Sequence, residues 1–150
     1  MNSYEWLNDD EQLFWQTMVA AFRGVERNIE RSLRSRTGLT FADFTLLIAL
    51  HETEDGIMHV DQVCDRLKWN HPRALLHTNR LVKRGLVHTE EPGEDPDSDY
   101  VIVLTGVGRH VFVEATPDYV DTVRTEVIGQ LSEEDRVNMM KCFHAVLRRA

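Results

Sequence analysis

The chain has 150 residues, of which 42% are hydrophobic and 28% charged, and it contains only four prolines and eight glycines. This balance predicts one globular domain with an apolar core and excludes a disordered or fibrous protein. The formal net charge of −8 excludes a general nucleic-acid coat, so any contact with nucleic acid requires a local basic patch.

No membrane or targeting segment is predicted. The N-terminus MNSYEWLNDDEQ lacks the basic start and apolar core of a signal peptide. No run reaches the roughly eighteen consecutive apolar residues that a membrane span requires. We therefore expect a cytoplasmic protein without a membrane partner.

The first predicted helix is long and amphipathic. Asn8, with Glu11 three residues later, has the pattern of a capping box, and helical spacing of apolar residues then continues until Gly38. The apolar positions are Phe14, Met18, Phe22, Val25, Ile29 and Leu33. A second helix is predicted to begin at Thr40, with Asp43 at the third position of its own capping box.

A helix-turn-helix is predicted at residues 61–84. Asp61 is predicted to cap a short first helix, and Asn70 or His71 to cap the second. Gly85 suits the C-terminal end of the second helix. Residues 66–89 contain six Lys or Arg and no acid, so the exposed side of this unit is basic.

The next elements are a hairpin and two further helices. The segments LVHT and YVIVL are rich in β-branched residues and flank the acidic stretch EEPGEDPDSD at residues 90–99. A helical pattern returns at Thr105, with a kink or break predicted at Pro117. The last helix is predicted to begin at Ser132, with Asp135 as its capping partner. The fold class is therefore mostly α with a small β-hairpin (α+β), and its centre is a winged helix-turn-helix.

Four segments carry a resemblance to a known family. LTFADFTLLIAL, VDQVCDRLKWN, HPRALLHTNRLVKRGLV and VLTGVGR follow each other in the order and spacing of the multiple-antibiotic-resistance regulator (MarR) family of winged-helix transcription factors. The resemblance covers about residues 6–148. It implies one domain over 1–150, with a winged helix-turn-helix DNA-binding core at 39–112 and dimerisation helices at 8–37 and 117–149.

The same resemblance implies partners. It implies a homodimer with intertwined N- and C-terminal helices, in which each subunit offers one winged helix to double-stranded DNA. A small aromatic or phenolic ligand often releases such a dimer. Trp15 and Phe22 are the candidate ligand-binding residues, although aromatic residues at such positions more often form a dimer core.

The second helix of the helix-turn-helix supplies the candidate DNA contacts. The candidates are Asn70, His71, Arg73, Leu76, His77, Arg80, Lys83 and Arg84. Helical geometry groups four of them on one side, which we call the reading face: Arg73, Leu76, Arg80 and Lys83. Ala74, Thr78 and Leu81 point the other way. Leu76 suits a thymine methyl group or, alternatively, a surface that no longer reads bases. Apolar periodicity buries Leu75, whereas alignment to the family buries His77.

The wing departs from the family. An arginine is usual at the hairpin tip, and its place falls on about Ser98, between Asp97 and Asp99. Six carboxylates in residues 90–99 repel phosphates, so we do not expect this wing to grip DNA in the family's manner. Two interpretations stay open, a brake on non-specific binding and a solvated turn without a role.

Other chemistries find no support in the sequence. There is no H-E-x-x-H, no paired C-x-x-C, no G-x-S-x-G elbow and no phosphate-binding glycine loop, so no enzyme, cofactor or metal site is predicted. Cys64 and Cys142 have the pattern of buried thiols. The predicted function is a DNA-binding transcriptional regulator, in the first place a repressor, that binds a pseudo-palindromic operator as a homodimer. The alternative is a protein of the same fold with weakened DNA binding that acts through protein association.

Overall fold

The computed structural model describes residues 5–91 and 100–150. Within these residues it contains six α-helices and three β-strands. In chain order they are α1 (Asp9–Arg36), α2 (Phe41–His51), β1 (Ile57–His59), α3 (Val60–Leu67), α4 (His71–Lys83), β2 (Val87–Glu90), β3 (Val101–Leu104), α5 (Gly106–Glu126) and α6 (Glu133–Leu147). A 3-10 turn, Ile128–Gln130, precedes α6. The predicted class, mostly α with a small antiparallel sheet, is confirmed.

The chain forms two compact units. One comprises the residues up to Ile29 together with Val120–Ala150, and the other is Glu30–Tyr119. The predicted winged core at 39–112 lies within the second unit, and its boundaries stay a prediction. In the first unit, the Asn28 side-chain amide donates to both oxygens of the Glu126 carboxylate at 3.1 and 3.0 Å, which joins α1 to α5.

The predicted capping boxes explain where three helices begin. At α2 the Asp43 N–H donates to Thr40 Oγ1 at 3.0 Å, and the Thr40 N–H donates to the Asp43 carboxylate at 3.4 Å. The same reciprocal pair is formed by Asn8 with Glu11 at α1 and by Ser132 with Asp135 at α6. Each box satisfies two backbone donors that a helix N-terminus otherwise leaves unpaired.

The core of the second unit is built around α2. Its side chains Phe44, Leu46, Leu47 and Leu50 are fully buried. The Phe44 ring stacks on Phe112 of α5, with centroids 5.3 Å apart and planes 16° apart. The inner sides of α3, α4 and the sheet close the core with Val60, Val63, Ala74, Leu81 and Ile102. Because α2 is buried on nearly every side, it is the support on which the helix-turn-helix rests.

Two sequence predictions near β1 are wrong. The sheet has three strands in the order β1-β3-β2, not two, because Ile57–His59 pairs antiparallel with β3. The predicted cap of α3 also moves, since α3 begins at Val60 and follows His59. Gln62 Oε1 accepts the His59 N–H at 2.9 Å, whereas Asp61 lies in the first turn. The addition of β1 places β3 in the middle of the sheet.

Two further expectations are also corrected. A kink or a break was predicted at Pro117, and the helix α5 runs through this residue without a break, so only the kink stays a prediction. A proline removes only one backbone hydrogen bond from a helix, and next to it the Thr116 hydroxyl donates to the Phe112 carbonyl at 2.7 Å. Of the two cysteines expected to be buried, Cys64 is partly buried and Cys142 is exposed in this chain.

The junction between the hairpin and α5 is tight. The Thr105 hydroxyl lies 2.7 Å from the Gly85 carbonyl oxygen and 3.0 Å from that of Leu86, and it also accepts the Gly108 N–H at 3.0 Å. A Cβ atom on Gly108 would lie 2.0 Å from the Leu86 carbonyl oxygen and 2.8 Å from Leu104 Cδ1. The leucine-threonine-glycine segment therefore fixes α5 against both strands of the hairpin.

We expect Gly108→Ala to lower the free energy of unfolding by about 3 kcal/mol, because the added methyl group collides with backbone that cannot move alone. Gly106→Ala is the control in the same helix, since its Cβ meets nothing within 4 Å. Its effect should stay within about 0.5 kcal/mol. Urea unfolding at one fixed protein concentration measures both, and equal stabilities for the two variants would contradict the close approach.

Candidate nucleic-acid interface

The turn between α3 and α4 is set by local hydrogen bonds. Lys68 ends α3 in the left-handed region with φ 57°, and the Trp69 N–H donates to the Cys64 carbonyl at 3.1 Å. Asn70 then caps α4, because its side-chain oxygen accepts the Arg73 N–H at 2.9 Å. Three residues thus separate two helices that pack on each other, which confirms the predicted helix-turn-helix.

The far end of α4 closes with a Schellman motif. The Leu86 N–H donates to the Leu81 carbonyl at 3.0 Å, and the Gly85 N–H donates to the Val82 carbonyl at 2.9 Å. Gly85 has φ 72°, a conformation that glycine adopts without steric cost. The chain therefore turns directly from α4 into β2, and the wing follows the helix without a long loop.

The two sides of α4 differ sharply in exposure. Ala74, Thr78 and Leu81 are completely buried, as the periodicity predicts. All four members of the reading face are exposed. Leu76 is 57% exposed and lies among cations. The basic reading face is thus a real surface of the molecule.

Leu75 and His77 differ in exposure. Leu75 is 47% exposed, whereas the His77 side chain is only 12% exposed. The expectation from apolar periodicity is therefore wrong, and the alignment to the family is right. His77 Nδ1 lies 3.1 Å from Asp43 Oδ1, and its ring lies 5.0 Å from the Trp69 ring. His77 lies beneath the reading face and supports it from inside.

The cations of α4 have different surroundings. Arg73 lies over the Trp69 ring with its guanidinium carbon 5.1 Å from the centroid. Arg80 Nη2 lies 3.4 Å from Asp43 Oδ2, and the arginine side chain is 48% exposed. Arg84 Nη2 donates to the Thr37 carbonyl at 2.6 Å. Two of the three arginines therefore keep a share of the exposed surface at the reading face, while Arg84 reaches back to the end of α1.

The remaining candidates lie at the two ends of the helix. The Asn70 oxygen is used in capping, and His71 Nε2 lies 2.9 Å from Asp61 Oδ1. Lys83 is exposed and has no ion-pair partner within residues 5–91 and 100–150. The wing candidates Asp97, Ser98 and Asp99 lie outside the described residues.

Trp69 and Asp43 are site residues that the sequence analysis missed. Trp69 sits in the turn before α4, where an aromatic next to a capping Asn was a usable signal. No sign of a second role for Asp43 appears in the sequence, because helix capping already explains an aspartate at this position. Only the packing of α2 against α4 brings its carboxylate to His77 and Arg80.

The two ligand candidates are separated along α1. Both Trp15 and Phe22 are more than half exposed, and Trp15 lines an open groove that Phe22 does not reach. The groove is lined by Trp15, Gln16, Val19, Ala20 and Arg23, all from α1. Residues of a single helix thus form its walls.

The described part of the chain holds no group of three or more His, Cys, Asp or Glu side chains suited to a metal ion. None of the helices it contains has both the length and the apolar character of a bilayer span.

The helix-turn-helix followed by a hairpin defines a winged helix-turn-helix protein. Its fold matches Sco3205, a MarR family transcriptional regulator from Streptomyces coelicolor solved in complex with DNA, with TM-score 0.87 and 25% identity over 98% of this chain and 91% of that chain. AbsC, a MarR family transcriptional regulator from the same organism, matches with TM-score 0.87 and 26% identity over 97% of each chain.

A more distant likeness concerns the fold alone. The organohalide-sensing regulator RdhR-CbdbA1625, solved in its 2,4-dichlorophenol-bound form, has TM-score 0.81 and 16% identity over 100% of this chain and 89% of that chain. No protein-family model and no curated protein matches the chain. On the two nearer likenesses and the architecture, the chain has the winged-helix fold of MarR family transcriptional regulators.

We expect Arg84→Ala to lower the free energy of unfolding by about 1 kcal/mol, because the Thr37 carbonyl loses a charge-assisted hydrogen bond. Lys83→Ala, one position earlier and without such a partner, should change stability by less than about 0.5 kcal/mol. Thermal unfolding monitored by circular dichroism compares the two. If Arg84→Ala were as stable as Lys83→Ala, the bond to Thr37 would contribute nothing and Arg84 would return to the DNA candidates.

Proposed function

We propose that this chain is a DNA-binding transcriptional regulator that binds duplex DNA through α4. The observation that carries the proposal is the exposed, basic reading face on the second helix of a helix-turn-helix. Sco3205, which shares this fold at 25% identity, was solved with DNA. Such a helix enters the major groove, whose width admits one α-helix.

The charge distribution supports local rather than general binding. The whole chain carries −8, yet residues 66–89 carry six cations and no acid. Phosphate contacts release counterions and supply affinity for any sequence, whereas base contacts supply specificity. A cationic face on an acidic protein restricts DNA contact to one orientation, the one that presents α4.

We assign different tasks to residues of the reading face. Arg73 lies in the first turn of α4, where recognition helices contact base edges, and an arginine suits guanine O6 and N7. Leu76 lies one turn further and suits a thymine methyl group. Lys83 lies at the C-terminal end and suits a phosphate.

The acting species is a homodimer in this proposal. In the first unit, large apolar side chains of α1 and α6 are exposed to solvent, which a soluble protein seldom leaves uncovered over a whole surface. They include Leu13, Phe14, Phe22, Val137, Met140, Phe143 and Val146. A second copy is the proposed cover, and a twofold dimer reads a pseudo-palindromic operator. The repressor role and release by a small aromatic or phenolic ligand stay predictions.

Protein association is the second candidate function. Leu75, Leu76 and Val82 on α4 are 47%, 57% and 39% exposed, which suits an apolar partner as well as a thymine methyl group. Binding of the purified protein to duplex DNA separates the two functions. A chain that acts only through protein association binds no duplex in preference to another.

For DNA binding, we expect Arg73→Ala to weaken binding to a duplex selected from a randomised library by the parent protein by about 1 to 3 kcal/mol and to relax preference at one base pair. Lys83→Ala should weaken all sequences alike and reduce the salt slope of log K by about one. Fluorescence anisotropy over a salt series measures both. Parent affinity in both variants would place recognition elsewhere.

For assembly, light scattering at micromolar concentration should give twice the chain mass of 17.4 kDa. Phe143→Glu should shift the protein toward monomer, because burying an unpaired carboxylate in an apolar interface costs several kcal/mol. Lys141→Glu is the control, an exposed position on the same helix outside the apolar set. A parent protein that runs as a monomer would exclude the homodimer.

A further inference from the structure

Asp43 is a buried acid whose capping role does not account for all its contacts. It is 2% exposed and lies in the first turn of α2. Burial of a carboxylate is strongly unfavourable unless charged or hydrogen-bonding groups surround it. The groups around the Asp43 carboxylate therefore indicate why an acid is buried at this position.

The two carboxylate oxygens have separate partners on α4. Oδ1 lies 3.1 Å from His77 Nδ1, and Oδ2 lies 3.4 Å from Arg80 Nη2. His77 and Arg80 are three positions apart, which places them on adjoining strips of one helix. A carboxylate accepts and does not donate, so His77 Nδ1 is the donor. Asp43 therefore holds α4 at two points along its length.

The contacts continue outward from His77. Its ring packs against Trp69 with centroids 5.0 Å apart, and Trp69 carries the Arg73 guanidinium on its ring. Arg73 and Arg80, the two arginines of the reading face, are thus linked through one buried group. Asp43 contacts Arg80 directly, and it reaches Arg73 through the rings of His77 and Trp69, whose planes are tilted by 38°.

We propose that Asp43 is a positioning residue for DNA recognition. Its carboxylate sets the rotation of α4 through His77 and the direction of the Arg80 guanidinium, so the reading face is arranged before DNA arrives. This inference rests on the proposed function and deepens it.

Arg80 keeps the means to contact DNA while Asp43 holds it. A guanidinium has five N–H donors, and one nitrogen faces Asp43 while the side chain is 48% exposed. Fixing a long side chain in advance avoids an ordering cost on binding of about two- to tenfold in affinity. Asp43 thus offsets part of the positive charge of Arg80 and, in return, fixes the orientation of its guanidinium group.

The sign of the effect separates positioning from simple charge. Asp43→Asn removes a negative charge from beneath a DNA-binding surface, and by charge alone it should tighten binding. Positioning predicts the opposite result. We expect Asp43→Asn to bind the library-selected duplex about tenfold more weakly than the parent, because Arg80 and His77 lose their fixed partner.

The matched control is Asp135→Asn. Asp135 forms the same capping box at α6 with Ser132, so the substitution has the same local chemistry at a helix N-terminus. Both variants should lower the melting temperature by a few degrees. Only Asp43→Asn should lose DNA affinity when binding is measured well below both melting temperatures.

A double-mutant cycle tests whether Asp43 acts on DNA binding through Arg80. In an Arg80→Ala background, Asp43→Asn should weaken binding by less than about threefold, because the side chain that it orients is gone. A second variant, His77→Phe, keeps an aromatic ring beside Trp69 and removes the Nδ1 donor. It should also weaken binding several-fold, and it serves if Asp43→Asn does not fold.

The outcomes are distinct. If the parent binds and Arg73→Ala weakens it, while Asp43→Asn and His77→Phe bind as the parent does or more tightly, the positioning role is overturned and the proposed function stands. If the parent binds no duplex, both fall. A tenfold loss that persists in full in the Arg80→Ala background also overturns the route through Arg80.

Discussion

A buried carboxylate must find partners, and at Asp43 this constraint decides how the helix-turn-helix sits on α2. Thr40 satisfies it from the same helix, and His77 and Arg80 satisfy it from α4. Apolar packing of Ala74 and Leu81 against α2 is non-directional and tolerates small rotations of the helix. The hydrogen-bonded carboxylate does not, because hydrogen bonds weaken steeply when misaligned. Apolar packing thus stabilises the contact between α2 and α4, whereas the hydrogen bonds of Asp43 fix the orientation of α4.

The arginines of α4 show how a basic helix can be ordered without being neutralised. Arg73 uses the face of an aromatic ring, Arg80 a shared carboxylate and Arg84 a backbone carbonyl. None of them is buried, so each guanidinium keeps contact with solvent. Lys83, by comparison, is an exposed point charge that has no ion-pair partner among the described residues. Ordered arginines suit the geometry of base edges, and an untethered lysine suits the less exacting geometry of a phosphate.

Local signals in the sequence predicted most of the architecture. Capping boxes, helical periodicity and glycine at φ 72° located α1, α2, α4 and α6, because each signal acts within about five residues. The strand β1 escaped prediction, since three residues are too few to show an alternating pattern. The break at Pro117 does not occur, because a helix held by neighbouring hydrogen bonds survives the loss of one.

The support of the site lay beyond the reach of such signals. The His77 to Asp43 contact spans 34 positions and the Arg84 to Thr37 bond spans 47. Periodicity ranks side chains by hydrophobicity, so it predicted that Leu75 is buried in preference to His77, two positions later. Asp43 on α2 gives His77 a buried hydrogen-bond partner and so reverses that ranking, and the sequence of α4 contains no signal for this partner.

The strand order has a consequence for the behaviour of the protein at high concentration. Because β3 occupies the centre of the sheet that residues 5–91 and 100–150 form, β2 is an edge strand of that sheet. Such an edge is a template for intermolecular strand pairing unless its sequence discourages it. Here β2 has only four residues, three of them exposed and polar, and its last residue, Glu90, is followed by a second glutamate, Glu91. Like charges on two approaching edges repel, so these two glutamates disfavour the pairing of two β2 strands from different molecules.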